Sequence, residues 1–162
     1  MAANLTVKDV KEGMDLPVLE KAVKPVTVVL GAMASRDWRP QHHDYKFATE
    51  RNGVRDIFMN TPNLAAWFER YVTDWTGPYG RMGWIRFRMK DSVFPGETMV
   101  FKGHVKSVDR DARGVAWAEL ELELTSGGRV TTVCTARVAI PANEGDNPWK
   151  RRGDDWKPRA AA

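Results

Sequence analysis

The chain is poor in the residues that make a function easy to name. It has one cysteine and three histidines among 162 residues. A single cysteine, Cys134, excludes an intrachain disulfide; its setting in a strand-like run makes it a small buried hydrophobe rather than a nucleophile. A structural zinc site wants about four ligands, and two of the three histidines are adjacent, with side chains aimed apart, so no metal is expected. No apolar run approaches the ~20 residues that cross a bilayer. The N-terminal MAANLTVKDVKEG carries no apolar signal region, so a cytoplasmic protein with no membrane contact is expected. There is also no long Lys/Arg stripe interleaved with aromatics, which argues against nucleic acid as a partner. The net charge is +4. Its basic clusters are short: Arg86, Arg88 and Lys90, then Lys150, Arg151 and Arg152. Such an excess suits an anionic small ligand, for instance one bearing phosphate.

What is present is apolar surface in ordered patterns. Seven tryptophans are many for this length and call for a large core, interface or ligand tunnel. Leu64, Trp67, Phe68, Tyr71, Val72 and Trp75 fall on one helical stripe, predicting a helix over 61–75 with Thr61-Pro62 as its cap and first turn and Gly77-Pro78 as its stop. Ile85, Phe87 and Met89 alternate with Arg86, Arg88 and Lys90. Leu120, Leu122 and Leu124 alternate with Glu119, Glu121 and Glu123, and after Ser126-Gly127-Gly128 the run from Val130 to Ile140 is strand-like again. One-sided alternation marks antiparallel strands packed on a single face. The fold class is therefore α+β: one long central helix wrapped by a curved antiparallel sheet. Residues 1–24 read as a lead-in and 25–36 as a helix delivering a loop. The domain spans 1–140, with 141–162 a polar arm or disordered tail in which Trp149 and Trp156 suggest docking.

The chemistry concentrates in DWRPQHHD at 37–44. An aspartate and a histidine flanking a proline, Asp37-x-x-Pro40-x-His42-x-Asp44, can both face one cavity and hold a water between them. The spacing equally fits a turn in which aspartates bond their own backbone. Residues 56–62, DIFMNTP, open the long helix, whose free amides form an anion-stabilising end, as those of any helix do. Phe94-Pro95-Gly96-Glu97 reads as a plain turn.

In this order the motifs resemble the MaoC-like (R)-specific enoyl-CoA hydratases, which have the hot-dog fold. The family loop usually reads D-x-N-P-x-H-x-D; Asp37, Pro40, His42 and Asp44 match it, and Arg39 replaces the asparagine. Met59-Asn60 stand where the family has His-Gly, and Phe94-Pro95-Gly96-Glu97 resembles its P-G-D turn. A narrower likeness, carried by Ser35-Arg36-Asp37-Trp38, His42-His43-Asp44, residues 55–60 and residues 70–78, is to the small catalytic subunit of heteromeric hydratases of this family that act on steroid side chains. The resemblance covers roughly 26–140. It implies hydration of a trans-2-enoyl-CoA to a 3-hydroxyacyl-CoA, and the narrower likeness implies a bulky steroid side-chain acyl group. Asp37 and His42 would be catalytic; Asn60, through its amide, Thr61 and Arg39 would bind substrate. It implies no cofactor beyond the coenzyme A of the substrate, and a homodimer or a heteromer with a second hot-dog chain. A non-catalytic, tunnel-completing subunit and a hot-dog thioesterase are the alternatives. The latter would need an acid or base on the long helix, where Glu69 and Asp74 lie at the far end.

Overall fold

The alternation at 85–90 and 119–124 sorts onto the two sides of a single antiparallel sheet. The computed structural model describes residues 5–158. Its strands are β1 (Leu19–Ala22), β2 (Arg81–Met89), β3 (Thr98–Arg110), β4 (Ala116–Ser126) and β5 (Arg129–Ile140), in the order β1-β3-β4-β5-β2. Leu120, Leu122 and Leu124 are buried on one side, and Glu119, Glu121 and Glu123 are half-buried on the other. Cys134 lies on the apolar side, its thiol pushed up to about 12 by burial, which leaves it inert.

Against the apolar side lies the long helix, α3 (Thr61–Thr76). Leu64, Phe68, Tyr71, Val72 and Trp75 are buried as the stripe requires. Phe68 stacks on Phe87 at 6.3 Å and meets Phe101 edge-on at 5.1 Å, joining the helix to β2 and β3. Trp67, also on the stripe, is half-buried, with Lys21 and Arg70 over its ring. The cap differs from expectation. Asn60, not Thr61, is the N-cap, its Oδ1 accepting from the Asn63 N–H at 3.2 Å; Thr61 and Pro62 begin the helix itself.

Residues 25–36 form α1 (Pro25–Ala34), as expected. α1 crosses the start of α3 so closely that a Cβ on Gly31 would fall 1.7 Å from Asn63 Nδ2. Arg36 follows at φ 55°, the left-handed region that glycine usually fills. The N–H of Arg36 bonds Met33 O and that of Asp37 bonds Ala32 O at 2.9 Å, the paired closure of a helix end. Asp37 therefore leaves α1 in a fixed direction. A short helix not expected from the sequence, α2 (Tyr45–Glu50), follows, capped by Asp44 through the Phe47 N–H.

The Phe94–Glu97 turn does more than reverse the chain. Glu97 is buried and accepts from Ser126 Oγ (2.7 Å), the Phe94 N–H (3.2 Å), Arg55 (2.6 Å) and Arg129 (3.2 Å). It ties the segment before α3 to the β4–β5 turn.

The arm from 141 to 158 docks on the sheet through Pro148, Trp149, Arg151 and Trp156; 159–162 fall outside the described residues. Trp156 packs on Trp117, with ring centres 5.1 Å apart, making a second small core with Val115 and Ala139. The Arg81 guanidinium lies 3.6 Å from the Trp156 ring centre and donates to the carbonyls of Pro148 and Arg151. Trp149 Nε1 donates to Gly80 O. Among the described residues no helix is long and apolar enough to cross a membrane.

Candidate active site

Three backbone segments converge on one cavity of about 440 Å³: the exit of α1, the 3₁₀ turn Pro40–His42, and residues 58–61 leading into α3. Asp37, Arg39, His42, Asn60 and Thr61, the five site residues expected from the sequence, all line it. Gln41, Phe58, Met59, Leu64 and the stretch from Met89, the last residue of β2, to Ser92 also line it; the sequence carried no signal for Gln41, Asp91 or Ser92 as lining residues.

His42 is 3% exposed. One ring nitrogen, Nδ1, lies 2.7 Å from Phe58 O. A carbonyl only accepts, so Nδ1 carries the hydrogen, and in the neutral ring Nε2 is left as an acceptor. Nε2 lies 3.5 Å from Asp37 Oδ2 and 3.4 Å from the Gln41 side-chain amide. Phe58 also meets the imidazole edge-on at 5.0 Å, fixing its plane.

Asp37 is 17% exposed at its side chain. Its Oδ2 accepts from Asn60 Nδ2 at 3.1 Å, and its Oδ1 accepts from the Arg39 N–H at 3.4 Å. Burial raises its carboxyl pKa. The Asn60 amide, the Arg39 N–H, the His42 ring in its protonated form and the Arg39 charge outweigh it, holding the carboxyl below its ordinary value. Asp37 is therefore a carboxylate at neutral pH, and carboxylate and imidazole present two acceptors to one place.

The N–H groups of Asn60 and Thr61 find no protein acceptor among the described residues, and Pro62 has none to offer. They form the open start of a 16-residue helix. His43 is exposed, and Asp44 is spent on capping α2, so neither joins the site. Glu69 and Asp74 do not line the cavity. A larger groove of about 800 Å³ crosses the outer side of the sheet, but its His104–Glu121 pair is half exposed on both partners and open to water.

A helix start, an aspartate and a histidine at one cavity, and a sheet around one helix define a hot-dog protein. No family model matches the chain. It is 35% identical over 97 residues, 60% of its own length and 74% of the relative's, to the 3-oxo-4,17-pregnadiene-20-carboxyl-CoA hydratase beta subunit of Mycobacterium tuberculosis. Its fold matches the ChsH1–ChsH2 complex of Mycobacterium tuberculosis with a TM-score of 0.73 and 27% identity, over 80% of this chain and 97% of that one. The (R)-hydratase of A. caviae involved in PHA biosynthesis shares the fold, with a TM-score of 0.74 and 21% identity over 83% of this chain and 100% of that one. The chain belongs to the family of this hydratase beta subunit, the MaoC-like hot-dog enoyl-CoA hydratases.

Proposed function

We propose that this protein is the catalytic subunit of an enoyl-CoA hydratase, adding water across the trans-2 double bond of an acyl-CoA thioester, with a bulky steroid side-chain acyl group as the favoured substrate. The observation that carries the reading is the pair of acceptors, Asp37 Oδ2 and His42 Nε2, 3.5 Å apart at one cavity wall. A water between them donates one hydrogen to each, which turns an oxygen lone pair toward the substrate β-carbon. As the C–O bond forms, one proton of the water passes to the Asp37/His42 pair and the π electrons move to the thioester as an enolate; the pair then returns that one proton to the α-carbon, which restores both groups. The enolate oxygen sits at the Asn60 and Thr61 amides, where the helix start favours negative charge. Arg39, its side chain 74% exposed at the mouth, meets the coenzyme A phosphates. No cofactor beyond the substrate's own coenzyme A enters this scheme.

The cavity opens beside the edge strand β2; Met89 on its wall is 45% exposed, and Trp38, which follows Asp37, is 64% exposed. A second hot-dog chain, in a homodimer or a heteromer, would cover both and pair the open edge. A cytoplasmic location goes with this reading, since coenzyme A is an intracellular carrier. The test is loss of enoyl-thioester absorbance over a panel from short linear to steroid side-chain enoyl-CoAs, using the chain alone and with a candidate partner, and Asp37→Asn as control. Loss with wild type and not with the variant supports the reading; no loss with any substrate or partner refutes it.

A further inference from the structure

The Asn60 side chain is bonded as few helix caps are. Its Oδ1 accepts from the Asn63 N–H at 3.2 Å, which settles which end of the amide is oxygen. The Nδ2 end then faces Ser35 Oγ at 2.7 Å and Asp37 Oδ2 at 3.1 Å, so both of its hydrogens are used. Ser35 Oγ donates to Gly31 O at 2.8 Å, or to Ala32 O at 3.2 Å, leaving a lone pair to accept from Asn60. Asn60 is 1% exposed, so no water competes for these bonds.

Helix capping alone does not call for asparagine. Serine and aspartate cap as well. What asparagine adds is an NH₂ group beside the carboxylate. Serine would lack that second reach, and aspartate would set a like charge about 3 Å from Asp37.

We propose that the Asn60 side chain, braced by Ser35, is a positioning residue that fixes the Asp37 carboxylate against His42 Nε2, while the same residue's backbone N–H stays free for the substrate. The start of α3 and the end of α1 are thereby locked together through the base itself. The bond takes up one lone pair of Oδ2 and leaves the other directed at the cavity. Its effect on rate rests on the hydratase reading; its effect on Asp37 does not.

The test uses Asn60→Ser, which keeps a cap and removes the donor, Asn60→Asp, which keeps the shape and adds a charge, and Ser35→Ala, which leaves cap and donor intact but unbraced. Three quantities are read: the melting temperature, the titration of the Asp37 carboxyl by ¹³C NMR, and hydration of crotonyl-CoA. Asn60→Ser is expected to melt close to wild type, to raise the Asp37 midpoint, and to lower kcat about 10- to 100-fold with KM little changed. Asn60→Asp raises the midpoint further, and Ser35→Ala changes each quantity in the same direction by less. An Asp37 midpoint unmoved in Asn60→Ser overturns the proposal whatever the activity. Should that variant not fold, an unmoved midpoint in Ser35→Ala does so. A moved midpoint in a protein inactive on every enoyl-CoA of the panel, alone and with a candidate partner, refutes the hydratase reading and leaves the positioning role standing.

Discussion

Asp37 Oδ2 and His42 Nε2 both accept hydrogen bonds, and they stay 3.5 Å apart because each is held from behind, by Asn60 and by Phe58 O. The same bonds link Asp37 to stability. Its folded pKa lies below the ordinary 3.8, so the stabilisation it contributes is fully present above that value and lost as pH falls through the lower folded one. The difference in unfolding free energy between wild type and Asp37→Asn, measured by denaturant titration across acid pH, is expected to shrink only below pH 3.8. Rate lost at mildly acid pH then has another origin than protonation of Asp37. Arg36 is a second residue-scale case. At φ 55° it pays a strain that glycine does not, so Arg36→Gly is expected to stabilise by about 1 kcal/mol in urea unfolding with catalysis retained.

At the scale of elements, the site depends on how α1, α3 and the loop before α3 are anchored. Gly31 lets α1 lie on Asn63, and Met59 N–H bonds Val93 O at 3.0 Å, holding the approach to α3 beside the strand side of the cavity. Glu97 fastens that loop through Arg55 and the β4–β5 turn through Ser126 and Arg129. Burial pushes its carboxyl up, but the Ser126, Phe94 and Arg129 bonds hold it below its ordinary value, so it is charged and buried at neutral pH. Glu97→Gln keeps the shape and discards the charge that two arginines address. A loss of about 1–3 kcal/mol is expected by thermal unfolding, along with weaker activity as residues 55–60 loosen.

Over the whole molecule, the arm is the largest feature beyond the helix-and-sheet core. Trp156 covers Trp117, Arg81 lies between the rings of Trp156 and Trp149, and the arm crosses the start of the edge strand β2. That leaves the later part of β2, next to the cavity, as the open edge where a partner chain would pair. Because Trp156 is half-buried, Trp156→Ala is expected to cost about 2 kcal/mol, less than a fully buried tryptophan. Calorimetry checks this, with cavity chemistry unchanged because the arm does not line the site.

Much of this was legible in the chain. The stripe of α3 and the alternation of β2 and β4 are local periodicities, and burial acts on them directly. Asp37 and His42 stand five residues apart on one loop, so their association needs little from the rest of the fold. Other features had no local trace. The short β1 pairs with β3 some 80 residues on, and α2 is too brief to carry a period. Serine, aspartate and asparagine cap a helix equally well, so no pattern tells that the Asn60 amide faces a carboxylate 23 residues earlier. The sequence by itself determined the long helix, the alternating strands and their apolar faces, and offered Asp37 and His42 as the candidate pair. Only the tertiary structure decided which hydrogen bonds orient them and where the arm lies, because those depend on groups distant in the chain meeting at hydrogen-bond range.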